Sequence, residues 1–157
     1  MITSYLTYSD YVLDAKNHKP FKVYEILENT LLSYDDNGEL LHLPKSDAWS
    51  IYLNERVLKS IGFEYDEDEK AWLCDFHFSG ADFTVFLQKR KDDNLLYDCV
   101  ISLEGDTKNL VDVPLCRFHE LQGAMRVVGL GYCAELLGKS IKSEDIDKDI
   151  FRFKLYC

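Results

Sequence analysis

Positive charge is what this chain is short of. Lysine and arginine number 18 against 28 aspartates and glutamates, a formal net charge of -10 with histidine neutral. Phosphate contacts need clustered cations, and the long-range Coulomb term is repulsive here, so no direct nucleic-acid binding is expected. Long apolar runs are missing too. No stretch could span a bilayer, and residues 1–10 have neither the basic start nor the apolar run of a secretory signal. The expectation is a soluble protein of the cytoplasm with no membrane role. The five cysteines, Cys74, Cys99, Cys116, Cys133 and Cys157, are odd in number and lack paired spacing. That excludes a complete disulfide framework within one chain and suits reduced thiols.

What the chain does contain is core-forming material. Apolar residues make up 46% and aromatics 13% of its 157 residues, too many for disorder even with 29% charged. The length suits one domain, or two small lobes, with a proper hydrophobic core. There is no internal repeat and no low-complexity linker.

From Tyr11 to Tyr52, short apolar and aromatic runs are cut by turn residues, the pattern of a small antiparallel sheet or barrel. The spacing predicts strands over 11–13, 21–27, 31–34, 39–43 and 49–53. Asn37 and Gly38 supply a turn, because both accept positive φ. The segment from Phe21 could also be helical through Tyr24, Leu27 and Leu31, but Pro20 and the Val23, Ile26 alternation favour a strand. Asn54 can cap a short helix through Val57, Leu58 and Ile61, ended by Gly62. Strands over 71–78, 83–88 and 95–103 then form an antiparallel meander, followed by a short strand over 110–113.

After Pro114, read as the opener of a helix, apolar residues recur at helical spacing: Phe118, Leu121, Met125, Val128, Tyr132 and Leu136. Gly123, Gly129 and Gly131 cost about 1 kcal/mol each within a helix. Burying six large side chains at roughly 1.5–3 kcal/mol each outweighs that, so a long helix covering a sheet is predicted, ending or kinking near Gly129. A closing strand over 150–156 alternates apolar with basic residues.

Several motifs are incomplete. The glycines from Val127 to Ala134 have the spacing of a dinucleotide fingerprint, but too little chain follows Gly131 to build the rest of that fold, and the residues before it read as helix. A helix end or close packing point explains them better. His119 and Glu120 begin a zinc-protease helix, yet Gly123 stands where the second histidine belongs. Cys116 and His119 would make half a metal site, and His18, His42 and His77 show no matching spacing. No metal or other cofactor is expected. A thiol nucleophile such as Cys74 with His119 would need a tertiary match that spacing does not reveal. The acids concentrate in two runs, Glu64, Asp66, Glu67, Asp68 and Glu69, then Glu144, Asp145, Asp147 and Asp149. These read first as solvated turns and second as an acidic face for a basic partner. Most of the ten tyrosines and nine phenylalanines are assigned to the core.

Four segments together resemble a group of uncharacterised small proteins of gut bacteria and their phages or mobile elements. Residues 9–12 resemble its opening strand and 23–26 the next. Residues 51–58 followed by Gly62 and Phe63 resemble its short helix ended by Gly-Phe, and Phe118 to Gln122 its C-terminal His-Glu-Leu-Gln helix. Beyond Gln122 this chain is longer and richer in glycine than the pattern. The resemblance implies a phage or mobile-element context in a bacterial host and brings no activity or catalytic residue.

The resulting expectation is an α+β protein. A small β module of SH3-like barrel character (1–53) precedes an antiparallel sheet packed by one long C-terminal helix and a final short strand (54–157), and the two parts share one core. The expected role is non-enzymatic: an interaction or accessory protein whose partner is another protein, with a homo-oligomer possible. The alternatives are an acidic inhibitor that imitates nucleic-acid charge to block a host defence protein, and a small enzyme using Cys116, His119 and Glu120.

Overall fold

The computed structural model describes residues 6–106 and 108–147. The closing strand expected over 150–156, with Asp149 and Cys157, lies outside them. The described residues form an α+β architecture of three antiparallel sheets and three α-helices. Among them no helix is long and apolar enough to cross a membrane.

Strand β1 (Tyr11–Asp14) lies between β2 (Lys19–Lys22) and β6 (Ala48–Trp49). A second sheet orders β3 (Glu25–Ile26), β4 (Thr30–Tyr34) and β5 (Leu40–Pro44). The single strand expected over 21–27 is thus two, because the backbone changes partner. Val23 N–H donates to Asp10 O at 2.7 Å in the first sheet, whereas Tyr24 N–H donates to Leu32 O at 2.8 Å in the second. The Asn37-Gly38 turn forms as expected, with Gly38 at φ +78° and the Asp35 carboxylate accepting from the amides of Asn37 and Glu39.

Helix α1 (Glu55–Ser60) starts where Asn54 Oδ1 accepts from Val57 N–H at 2.9 Å. It stops in a Schellman arrangement, with Phe63 N–H bonded to Leu58 O, Gly62 N–H to Lys59 O and Gly62 at φ +96°. The meander follows: β7 (Glu64–Asp66), β8 (Ala71–Phe78), β9 (Ala81–Lys89), β10 (Tyr97–Leu103) and β11 (Asn109–Leu115), each beside its sequence neighbour. Pro114 does not open a helix. It lies in the edge strand β11 opposite Asp98, where a residue without N–H is tolerated.

The C-terminal helix is two helices, α2 (Phe118–Val127) and α3 (Gly131–Ser140). Gly129, at φ +85°, terminates α2 as Gly62 terminates α1: its N–H bonds Arg126 O, and Leu130 N–H bonds Met125 O. Val127 therefore ends a helix and belongs to no strand. The left-handed residue resets the helical phase. Phe118, Leu121 and Met125 are fully buried, but Tyr132 and Leu136 are exposed, and Leu130, Ala134 and Leu137 take over the core face.

Among the described residues the two larger of three apolar clusters hold the molecule together, the third joining Tyr52 to Cys116. The larger joins α1, α2 and α3 to Val85, Leu87, Tyr97, Cys99 and Ile101 of the five-stranded sheet. The smaller gathers Val12, Phe21, Val23, Leu31, Leu43 and Ala48. Strand β1 belongs to both, because alternate side chains point to opposite faces: Tyr11 and Leu13 enter the larger cluster and Val12 the smaller. Residues 51–53 cross to the second half of the chain, with Leu53 N–H bonded to Cys116 O and Phe118 N–H to Ile51 O.

Candidate binding surfaces

The first acidic run spans β7 and the turn into β8. Asp66 Oδ1 accepts from the amides of Asp68 and Glu69, both at 2.9 Å, so this carboxylate shapes the turn while Glu64, Glu67, Asp68 and Glu69 face solvent. In the second run, Ser143–Asp145 is a 3-10 turn whose Asp145 carbonyl accepts from Asn54 Nδ2 at 3.3 Å. Buried Ile146 anchors that turn, leaving Glu144 exposed and Asp145 and Asp147 half-buried.

His119 and Glu120 sit at the start of α2 in different surroundings. Glu120 Oε1 accepts from the backbone amides of Cys116 (3.1 Å) and Arg117 (2.9 Å), and the Cys116 thiol approaches it at 3.7 Å. Glu120 thereby satisfies donors that a helix start leaves without intrahelical partners. His119 is only 4% exposed. Burial pushes its imidazole below the ordinary value, against the opposing pull of Asp10 and Glu120. Burial raises the Cys74 thiol to about 11 and Cys99 to about 12, and Cys133 upward, which disfavours their thiolates. Among the described residues no group of three or more potential ligands could hold a metal ion.

A buried polar group that spacing along the chain did not reveal lies beside His119. Asp10 pairs with Arg126 at 2.5 Å and accepts from Thr7 N–H at 2.8 Å. Gln122, fully buried, accepts from Tyr11 N–H at 2.9 Å and donates to Ser9 O and Ala134 O, each at 3.2 Å. One side chain thus joins β1, α2 and α3. These groups hold the helices to the N-terminal strands.

The outer part of the β3–β4–β5 sheet is different. Half of the large apolar side chains exposed among the described residues fall between 8 and 41: Tyr8, Tyr24, Ile26, Leu27, Tyr34, Leu40 and Leu41. Tyr34 lies directly opposite Leu40. The rings of Tyr8, Tyr24 and Tyr34 form an edge-to-face row, with 5.1 Å between successive centroids. The side-chain hydrogen bond between Tyr24 and Tyr8 raises the Tyr24 phenol above its ordinary range. The border of the row is acidic apart from Lys22, whose Nζ stands 5.4 Å from the Tyr24 ring centroid and pairs with Glu135. Residues 23–44 contain Glu25, Glu28, Asp35, Asp36 and Glu39 and neither lysine nor arginine.

A further polar patch lies on the meander, where His77 Nδ1 meets Asp82 Oδ1 at 2.6 Å and Thr84 donates to Asp75 at 2.7 Å. Its groups are paired within the sheet. Comparison with models of protein families, with curated proteins and with solved structures finds no match to this chain.

Proposed function

We propose that the protein is a non-enzymatic interaction protein and that its docking face is the tyrosine row with Leu40 on the β3–β4–β5 sheet. The observation that supports this reading is the concentration of exposed aromatic and apolar area there. Leaving such side chains in water forgoes roughly 25 cal/mol per Å² of burial, and contiguous exposure of this kind marks interaction sites. The carboxylate border selects a partner with an apolar ridge flanked by lysine or arginine. In this reading the strands from Tyr11 to Trp49 act as a small module of SH3-like character, working in the cytoplasm of a bacterial host.

Affinity purification from the native host, run in parallel with the intact chain and with Tyr34→Lys plus Leu40→Lys, tests the proposal. A partner retained by the intact chain and lost by the doubly substituted one, both folded by circular dichroism, is the expected result. Recovery of the same partners with both chains would overturn it.

A second reading makes the acidic runs the docking element, as in an inhibitor that imitates nucleic-acid charge. The net charge of -10 and the exposure of Glu67, Asp68 and Glu69 favour it. It expects the partner to be lost on neutralising Glu64, Glu67, Asp68 and Glu69 to their amides and kept on changing Tyr34 and Leu40.

A further inference from the structure

One cleft reverses the acidic balance of the molecule. It has a volume of about 490 Å³ and lies where α1 meets the end of the five-stranded sheet. Lysines line it from three elements: Lys59 from α1, Lys70 from the turn before β8, and Lys89 and Lys91 at and just beyond the end of β9. All four are exposed, and none makes an ion pair with a described residue, as is true of most described lysines and arginines. Glu55 is the one carboxylate lining the cleft.

The floor is aromatic. Tyr65 and Trp72 are cross-strand partners whose ring centroids stand 5.4 Å apart at an interplanar angle of 60°. Lys59 Nζ sits 6.0 Å from the Trp72 ring centroid. In a chain with 28 acids and 18 bases, four unpaired ammonium groups around one apolar corner is not what charge balance alone would place there. With a Debye length of about 8 Å at physiological ionic strength, an anion in the cleft responds to these four groups, to Glu55 and to the acidic turn just before Lys70, whose Glu69 carbonyl accepts from the cleft residue Gln88 at 3.5 Å, ahead of more distant charges.

We propose that this cleft binds an aromatic polyanion of nucleotide size, a nucleoside triphosphate being the simplest representative. The flat base lies against the Trp72 and Tyr65 corner, and the phosphates take the ammonium groups, which act as flexible point charges. The volume falls in the range of roughly 300–1,000 Å³ usual for small-ligand sites. The inference is independent of the docking face, which lies on a different sheet.

Fluorescence titration of the full chain in the Trp49→Phe background, which leaves Trp72 as the reporter, tests it. The probes are ATP, GTP, CTP and UTP, with tripolyphosphate and adenosine as controls, all without divalent metal. Saturable quenching by at least one nucleoside triphosphate is expected, weakened about tenfold by Lys89→Gln with Lys91→Gln. Glu55→Gln should tighten it, and added salt should weaken it. Absence of saturable quenching by all four nucleotides at low salt, indifference to the lysine replacements, or equally tight binding of tripolyphosphate would overturn the proposal.

Discussion

A Cβ built on Gly138 would stand 2.1 Å from the ring of Tyr11. Helix α3 therefore crosses β1 with room for a hydrogen atom and no more, and the Tyr11 ring fills the space. The larger apolar cluster includes Tyr11 together with Leu137 and Ile141, which flank Gly138 in the chain.

Gly138→Ala must displace that ring or lift the helix, and overpacking of this kind costs about 1–3 kcal/mol. Gly123 provides the contrast. It lies inside α2 with nothing within 4 Å of a built Cβ, so Gly123→Ala should stabilise by about 0.5–1 kcal/mol. Urea unfolding of the two variants should move the midpoint in opposite directions.

Gln122→Leu removes three hydrogen bonds at once and leaves Tyr11 N–H, Ser9 O and Ala134 O without that partner in the interior. A buried polar group so stranded costs about 1–3 kcal/mol. The variant should lose about 3 kcal/mol or more by the same measurement, despite being the more hydrophobic side chain.

His119 makes stability depend on pH with a defined sign. Its folded-state value lies below the ordinary 6.5 because burial outweighs Asp10 and Glu120, with Arg117 and Arg126 pushing the same way as burial. The unfolded chain takes up a proton near 6.5 that the folded chain refuses. The stabilisation is therefore complete above that pH and declines as pH falls from there toward the folded value. The urea midpoint should drop between about pH 7.5 and pH 5.5, and His119→Gln should flatten the difference.

What could be read from the chain follows how local each determinant is. Asn54 and Gly62 bound a helix through hydrogen bonds made within a few residues, and α1 begins and ends there. The alternation from Ala71 to Phe78 predicts a strand that keeps those bounds. The change of sheet between Val23 and Tyr24 depends on Asp10 and Leu32, which no local pattern identifies as partners. The helical stripe holds through Met125 and then fails at Tyr132 and Leu136, because one left-handed glycine rotates everything after it.

The candidate surfaces were harder to see for the same reason. Alternation tells which side chains share a face but not which face meets the core, so a core default for most tyrosines does not single out Tyr24 and Tyr34, which are exposed. Asp10 and Arg126 pair across most of the chain, with no spacing to betray them. The four lysines of the cleft come from three elements that only the fold brings together.

The docking face is tested most directly by hydroxyl-radical footprinting of the chain, free and bound to the partner recovered with it. The account predicts protection of Tyr8, Tyr24 and Tyr34, with the Glu64 to Glu69 turn as reactive as in the free protein. Protection of that turn and of Ser143–Asp145, with the three tyrosines unchanged, would contradict it.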